Sequence, residues 1–239
     1  DWLVKRLPNN NGRVGMWGIS YPGFYCSAAM IGAHKALKAV SPQAPIADWY
    51  WDDAHHNGAY ILPMTFFFQA VQKKREGLST KWPEPFDFGT TDGYRFYMEL
   101  GPLSNVNKRF FKGEVEFWNQ IVAHPDYDSF WQARSIIPHL KKVRTAVLVV
   151  GGWYDSEDLY GPLATYRALE KSNKRNQSTL VMGPWTHGGW TRTLGDKVGD
   201  LSFGLPTSEP VQSEVVLPFF LHHLKGGRDP GLPEAYVFE

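Results

Sequence analysis

The feature that most constrains the fold lies near the start of the chain, where an apolar run, a tight turn and a small-residue stretch follow one another. Residues 13–18, RVGMWG, are typical of a buried strand, and residues 24–34, FYCSAAMIGAH, suit a helix packed against a sheet. Between them lies GISYPG at 18–23, which has the spacing G-x-S-x-x-G. A serine lifted above a strand by a sharp turn needs small residues on both sides, because strand and helix approach closely there.

Two interpretations of Ser20 follow from this motif. In the first, Ser20 is the nucleophile of an elbow whose usual pattern is G-x-S-x-G; here Pro22 takes the second small-residue position and Gly23 follows. Pro22 suits the first turn of a helix, where no N–H donor is required. In the second interpretation, Ser20 only caps the helix. The other members of a catalytic set must decide between the two.

The alternation of strands and helices continues beyond this motif. LKAVSPQAP at 37–45 is typical of a second strand, and TAVLVVGG at 145–152 is β-branched and apolar, as central parallel strands are. Apolar residues at helical spacing follow at 159–172, and a further strand, STLVMGP, is predicted at 178–184. An amphipathic helix is predicted at 209–227. This order predicts an α/β fold with a mostly parallel sheet and flanking helices.

The middle of the chain has a different composition, which predicts a separate domain. Residues 46–140 are aromatic, rich in Pro and Gly and without βαβ rhythm, so we expect a mainly helical cap inserted above the carboxyl edge of the sheet. The two parts of the core are then 1–45 and 141–230, and 231–239 opens a further β domain. Because the chain begins at Asp1 without Met, we expect a piece of a longer protein.

Composition excludes several classes of protein. The 25 Lys+Arg and 24 Asp+Glu leave a formal net charge of +1, whereas nucleic-acid binders concentrate basic charge, so no nucleic-acid partner is expected. No run approaches the roughly 18 consecutive apolar residues that a membrane span needs. The single cysteine, Cys26, excludes an intrachain disulfide and a Cys-based zinc finger. The histidine pairs at 55–56 and 222–223 lack partners at ligand spacing, so we expect neither a metal nor another cofactor.

Two polar residues follow the late strands in the order that serine hydrolases of this fold use. The strand at 145–152 leads into Asp155, and the strand at 178–184 leads into His187 within a glycine-rich loop. Hydrolases with an α/β sheet place their triad in the order serine, acid, histidine. We therefore expect His187 to take the proton from Ser20, and Asp155 to orient the imidazole and stabilise the imidazolium.

Neighbouring residues complete this hypothetical site. The backbone N–H of Tyr21, directly after the serine, is the expected donor to the oxyanion of acyl transfer. Trp153 and Tyr154 precede the acid and are predicted to line the substrate pocket. The resulting hypothesis is a serine hydrolase that cleaves esters or amides through an acyl-enzyme. The alternative from another class is an inactive hydrolase fold that serves as a binding module.

Three motifs together resemble those of the CocE/NonD hydrolases, which are α/β-hydrolase serine enzymes related to the X-prolyl dipeptidyl peptidases. They are GMWGISYPGF, GGWYDSEDLYG and VMGPWTHGGW, and the resemblance extends to the segments at 40–60 and 123–134. The sequence is most similar to the α-amino-acid ester hydrolases and the cephalosporin (glutaryl) acylases. The resemblance implies small ester, amide or short-peptide substrates, and it leaves an X-prolyl dipeptidyl aminopeptidase or a general carboxylesterase open.

The resemblance also implies a carboxylate cluster for the substrate. In the α-amino-acid ester hydrolases such a cluster recognises the α-ammonium group, and its positions match Glu157, Asp158 and Asp53 here. Relative to the family pattern, one residue is missing before the pair Asp52–Asp53, so Asp52 is the alternative third member. A bound ammonium would relieve the like-charge repulsion among three carboxylates. The competing interpretation is that Glu157 and Asp158 complement the dipole of the helix that begins at 159.

Other features implied by the resemblance lie outside the chain, among them the first strands of the hydrolase sheet. The second oxyanion donor of the family is a tyrosine hydroxyl on a loop upstream of the elbow, which here falls before Asp1. The family also carries a C-terminal β jelly roll, and PEAYVFE at 233–239 resembles its entry. Because relatives are often exported, the resemblance implies a periplasmic or secreted location. A homo-oligomer is compatible with the sequence.

Overall fold

The computed structural model describes residues 1–71, 77–78, 80–81, 84–173 and 178–238. The strands are β1 (Val14–Ile19), β2 (Leu37–Gln43), β3 (His55–His56), β4 (Ala59–Tyr60), β5 (Ala146–Gly152), β6 (Ser178–Gly183), β7 (Lys197–Val198), β8 (Leu201–Ser202) and β9 (Ala235–Val237). The α-helices are α1 (Trp2–Arg6), α2 (Tyr21–Met30), α3 (Leu62–Val71), α4 (Gly93–Leu100), α5 (Ser104–Val106), α6 (Glu116–Ala123), α7 (Ser129–Gln132), α8 (Tyr160–Ser172), α9 (Gly189–Arg192), α10 (Ser208–Pro210) and α11 (Leu217–Phe220). Single wider or tighter helical turns cover Tyr50–Ala54, Asn107–Phe111, Ile137–His139, Val211–Val216 and Leu221–Lys225. The four helical segments after Thr207 join into one helical run, 208–225.

The described chain divides into two compact units. One contains Asp1–Asp52 and Arg134–Glu239, and the other contains Asp53–Ala133. The second unit falls inside the range 46–140 that we predict as a cap, but its boundaries are narrower. The segment after β2 stays with the sheet because Ile136 donates a backbone hydrogen bond of 3.0 Å to Ala47.

A parallel sheet forms the centre of the first unit. Its strand order in the described residues is β1-β2-β5-β6-β9, and each neighbouring pair is parallel. The register pairs Ile19 with Gln43, Gln43 with Val150 and Gly152 with Gly183. The carboxyl ends of four strands therefore lie at one edge, and the loops that follow them begin there. The predicted α/β-hydrolase type of fold is confirmed by this sheet and its flanking helices.

Side-chain alternation along β5 explains why helices cover both faces of the sheet. Every residue of β5 is buried, and successive side chains of a strand point to opposite faces. Val147 and Val149 pack in one apolar cluster with residues of α2 and α8, and Leu148 and Val150 pack in another with the helical run 208–225. Full burial of each such side chain stabilises the fold by about 1.5–3 kcal/mol.

The last strand lies within the range 231–239. Ala235–Val237 pairs with β6 in the main sheet. Aromatic packing supports this pairing, because Phe238 follows the strand and its ring lies 5.5 Å from that of Trp185 in the core. The expectation that 231–239 opens a further β domain stays a prediction.

The second unit has its own aromatic core. Phe66 of α3 is fully buried, and its ring lies 5.2 Å from Phe111 and 6.3 Å from Trp118. Helices α3 to α7 supply most of its regular structure, with the short pair β3–β4 beside them. Across the described residues of both units, no helix combines the length and apolar character needed to cross a membrane.

Candidate active site

Ser20 occupies the sharp turn between β1 and α2. Its backbone has φ 66° and ψ −125°, a conformation that residues with a side chain rarely adopt and that persists only where the surroundings hold it. One such restraint is the hydrogen bond of 2.9 Å from Ser20 N to the carbonyl of Gln43 on the neighbouring strand. No side-chain capping bond from Ser20 to α2 is found among the described residues, which disfavours the helix-cap interpretation.

The glycines of the motif are required by close backbone approach. A Cβ added to Gly18 would lie 2.5 Å from Cβ of Pro22, and one added to Gly23 would lie 2.5 Å from the carbonyl oxygen of Gln43. Pro22 lies in the first turn of α2, as predicted from its missing N–H. The extra residue in G-x-S-x-x-G is therefore accommodated, because Gly23 is the position that faces the end of β2.

Asp155 and His187 meet through a short hydrogen bond. Nδ1 of His187 lies 2.8 Å from Oδ2 of Asp155. The other carboxylate oxygen, Oδ1, accepts backbone N–H bonds of 2.9 Å from Glu157 and from Asp158. The Asp155 side chain has no exposed surface, so both of its oxygens are held in place inside the protein. A carboxylate held in this way fixes the tautomer and the orientation of the imidazole.

The loops that carry these two residues are bonded to each other. Trp153 N donates to the carbonyl of Gly183 at 2.8 Å, and Tyr154 N donates to the carbonyl of Trp185 at 3.0 Å. A Cβ on Gly152 would collide with that same Trp185 carbonyl. Gly152, the last residue of β5, therefore allows the acid loop and the histidine loop to pack backbone against backbone.

Two further carboxylates surround the imidazole. Oε2 of Glu157 lies 3.6 Å from Nε2 of His187, and Oδ2 of Asp158 lies 3.9 Å from its Nδ1. Asp158 is fully buried and Glu157 is mostly buried. Both precede α8, which begins at Tyr160. Their proximity to His187 favours a role in the site over a role limited to the helix dipole.

These contacts shift the pKa values of the site. Burial acts to lower the pKa of His187, but the hydrogen bond and the charge of Asp155, together with the charge of Glu157, raise it above its usual value of 6.5. Burial raises the pKa of Glu157 above 4.5, and the charge of His187 partly opposes this shift. The site thus favours a proton on His187 when Asp155 and Glu157 are ionised.

The residues predicted to bind substrate lie in varied surroundings. Tyr21 begins α2 directly after Ser20, and its ring lies 5.2 Å from that of Trp49. Trp153 and Tyr154 are 41% and 43% exposed, so both rings have surface left for a ligand.

Asp52 and Asp53 are the two alternatives for the third carboxylate, and Asp52 has a structural role. Oδ2 of Asp52 accepts backbone N–H bonds from Ala47 at 2.8 Å and from Asp48 at 3.1 Å, so this buried side chain holds the segment after β2. Asp53 begins the second unit. The structural role of Asp52 favours Asp53 as the third carboxylate, and the substrate role of Asp53 stays a prediction.

A metal could also use part of this cluster. Glu157, Asp158 and His187 each offer a ligand atom, and the three atoms lie within 4.8 Å of one another; no second group of this kind occurs in the described residues. Nδ1 of His187 is already bonded to Asp155, as in a serine hydrolase. The expectation that no metal is used stays a prediction.

The sequence interpretation missed Gln43 and Trp190. Trp190 Nε1 donates a hydrogen bond of 2.8 Å to Oε1 of Gln43, and both residues are completely buried. The one signal in the sequence is a glutamine at the carboxyl end of a strand, which predicts a polar partner if the strand is buried there without indicating which one.

A parallel sheet whose carboxyl edge carries the Ser20 turn, the Asp155 loop and the His187 loop defines an α/β-hydrolase. The family model of the X-Pro dipeptidyl-peptidases (S15 family) matches residues 1–189. The chain therefore belongs to this family, and the predicted resemblance to the CocE/NonD hydrolases is confirmed.

Individual relatives agree with this assignment. The chain is 28% identical over 253 residues to the cocaine esterase of Rhodococcus sp. (strain MB1 Bresler), covering 100% of this chain and 42% of that protein. An aminopeptidase structure from the marine sediment archaeon Thaumarchaeota archaeon is similar with a TM-score of 0.90 and 33% identity, covering 100% of this chain and 39% of that one. An α-amino acid ester hydrolase structure is similar with a TM-score of 0.91 and 29% identity, with the same coverage of 100% and 39%. The chain spans about two fifths of the length of these relatives.

Proposed function

We propose that Ser20, His187 and Asp155 form the catalytic triad of a serine hydrolase that cleaves acyl esters or amides through an acyl-enzyme. The observation that carries the proposal is the 2.8 Å bond between Nδ1 of His187 and the buried Asp155, because it directs Nε2 away from the acid. The strained turn at Ser20 supports the assignment of the nucleophile, since such strain concentrates at functional sites.

The chemistry proceeds in two halves. Oγ of Ser20 attacks the substrate carbonyl while Nε2 of His187 takes its proton, and the oxyanion of the tetrahedral intermediate accepts the backbone N–H of Tyr21. The intermediate collapses, His187 returns the proton to the leaving alcohol or amine, and an acyl ester on Ser20 remains. Water then attacks this ester with His187 again as the base, releasing the carboxylic acid and the free serine. Asp155 stays ionised throughout and stabilises the imidazolium.

The preferred acyl group carries an α-ammonium. Glu157 and Asp158 lie within 4 Å of the His187 ring and supply negative charge for a cationic substrate. The third carboxylate that the family resemblance implies is Asp53. Trp153 and Tyr154 form the apolar wall of the acyl pocket. The names of two similar structures, an aminopeptidase and an α-amino acid ester hydrolase, both refer to substrates of this kind.

The test of the triad is Ser20→Ala in the full-length protein. We expect it to abolish hydrolysis of p-nitrophenyl acetate and labelling by a fluorophosphonate probe, while the thermal melting temperature stays near that of the wild type. Retained turnover would refute the assignment of Ser20. A wild-type protein that neither turns over esters nor reacts with the probe would instead be a binding module with a hydrolase fold.

A second candidate is X-prolyl dipeptidyl aminopeptidase activity, which the matching family model favours. A substrate panel separates the possibilities: Xaa-Pro-anilides, α-amino-acid esters and neutral acetyl esters. The proposal expects the highest kcat/KM for the α-amino-acid esters. A preference for Xaa-Pro-anilides supports the second candidate, and equal rates on neutral esters indicate a general carboxylesterase.

A further inference from the structure

We propose that Gln43 is a positioning residue that joins the turn carrying Ser20 to the loop carrying His187. The inference rests on the proposed triad and assigns a role to a residue outside it. Gln43 is the last residue of β2 and is completely buried. It reaches both loops, one through its backbone and the other through its side chain.

Two hydrogen bonds make this connection. The carbonyl oxygen of Gln43 accepts the N–H of Ser20 at 2.9 Å, which restrains the strained turn. Its side-chain Oε1 accepts the indole N–H of Trp190 at 2.8 Å, across 147 positions of sequence. Trp190 lies in α9, shortly after His187 on the same loop. Gln43 therefore restrains the backbone of the turn that carries Ser20, and it also holds Trp190 on the loop that carries His187.

The orientation of the Gln43 amide is determined by its partners. Nε2 donates to Oγ of Ser41 at 3.0 Å, and that hydroxyl donates to the carbonyl of Leu148 on β5 at 2.8 Å. An indole N–H is a donor only, so it selects the amide oxygen, and the amide nitrogen is left to face Ser41. All of these groups lie in the buried sheet, where a directional hydrogen bond restrains geometry that apolar packing alone would allow to slide.

The strand order explains why such a connection is needed. Ser20 follows β1, His187 follows β6, and β2 and β5 lie between them. The histidine loop must therefore be held across the carboxyl edge of the sheet for Nε2 to serve Ser20. Displacement of a reacting group by about 1 Å can reduce the rate about 100-fold. The bond to Gln43 anchors that loop at β2, which is the strand next to the nucleophile turn.

Two buried tryptophans provide a matched test. Trp190→Phe removes the indole donor to Gln43, and Trp131→Phe removes an equally buried donor outside the triad loops, whose partner is the carbonyl of His124 at 2.7 Å. In the full-length protein we expect similar losses in melting temperature for both variants. Trp190→Phe should lower kcat for a p-nitrophenyl ester by about tenfold to 100-fold with KM unchanged, whereas Trp131→Phe should keep kcat near the wild-type value. Equal losses of kcat in the two variants would overturn the inference.

A double-mutant cycle provides the second measurement. If the bond between the two side chains is the cause, Gln43→Met combined with Trp190→Phe should lose no more kcat than the worse single variant. Losses that multiply would mean that the residues act independently, which also overturns the inference. The double variant leaves neither partner of this bond orphaned, so it remains useful if a single variant fails to fold.

Failure of this inference is distinguishable from failure of the proposed function. The rate of fluorophosphonate labelling is measured for the wild type, Ser20→Ala, Trp190→Phe and Trp131→Phe. An unlabelled wild type refutes the triad and the inference with it. If the wild type is labelled and Ser20→Ala is not, equal labelling rates for the two tryptophan variants refute only the role of Gln43. Slower labelling of Trp190→Phe alone supports both.

Discussion

Oδ2 of Asp155 lies 2.8 Å from Nδ1 of His187, and Oδ1 of the same carboxylate accepts hydrogen bonds from the backbone N–H groups of Glu157 and Asp158. The carboxylate is thus held by the same segment that carries Glu157 and Asp158. Any change at Asp155 therefore affects the imidazole directly and the neighbouring carboxylates through their backbone.

Asp155→Asn should reduce kcat on a p-nitrophenyl ester by about 10⁴-fold, the effect that this substitution has in the Ser-His-Asp template. The amide cannot stabilise the imidazolium, and its nitrogen would favour the wrong tautomer of His187. Steady-state kinetics give the value, and circular dichroism checks that the variant is folded. A loss below tenfold would show that Asp155 is not the acid of the triad.

The pH dependence follows from the pKa of His187, which the Asp155 and Glu157 charges raise above 6.5 against the effect of burial. The base must be neutral to take the serine proton, so kcat/KM should rise with pH through a midpoint above 6.5. Glu157→Gln removes one raising charge and should move the midpoint to lower pH. The midpoint is measured over a full pH–rate profile of each enzyme. An unchanged midpoint in Glu157→Gln would contradict the assignment of His187 as the titrating base beside Glu157.

The raised pKa of His187 also affects the stability of the folded chain. Because His187 binds its proton more tightly in the folded chain, this proton contributes stability that is fully present below the unfolded pKa of about 6.5. The contribution is lost as the pH rises through the folded pKa. Denaturant unfolding of wild type and His187→Gln at several pH values should show the difference between them shrinking over that interval. A difference that does not change with pH would contradict the raised pKa.

Glu157→Gln should also change selectivity. At a pH above the midpoints of both enzymes, we expect kcat/KM for an α-amino-acid ester to fall by at least about tenfold, equivalent to roughly 1.4 kcal/mol, while that for a neutral acetyl ester changes little. The reason is that the carboxylate attracts the substrate ammonium and contributes no contact to a neutral acyl group. Glu214→Gln, on the exposed face of the helical run 208–225, is the matched control. Equal losses on both esters would remove the ammonium-binding role.

A substitution of Gly23 tests the close packing at the turn that carries Ser20. Gly23→Ala should destabilise the protein by about 1–3 kcal/mol, because the new methyl would lie 2.5 Å from the backbone oxygen of Gln43, which cannot move aside. Gly93→Ala is the control, since a Cβ at the start of α4 meets no described atom within 4 Å. Denaturant unfolding gives both free energies. Equal free energies of unfolding for the two variants would show that β2 and α2 do not approach as closely as they do in the structure.

Much of the fold could be predicted because its signals are local. The apolar run before Asp155 and the small-residue motif around Ser20 identify strands, a tight turn and a helix, since periodicity and Gly/Pro positions act over a few residues. The strands observed at Val14–Ile19 and Ala146–Gly152 lie within a residue or so of the predicted ones. The order of serine, acid and histidine along the chain is likewise a property of the sequence.

The sequence by itself determined which residue types follow which strands, and therefore the family and the candidate triad. Only the tertiary structure decided that Asp52 holds a loop, that Ala235–Val237 pairs with β6, and that Gln43 bonds Trp190. These outcomes depend on contacts between segments distant in sequence, which arise when parallel strands are brought side by side. A buried polar side chain must find a partner, but the strand order determines which partner is within reach.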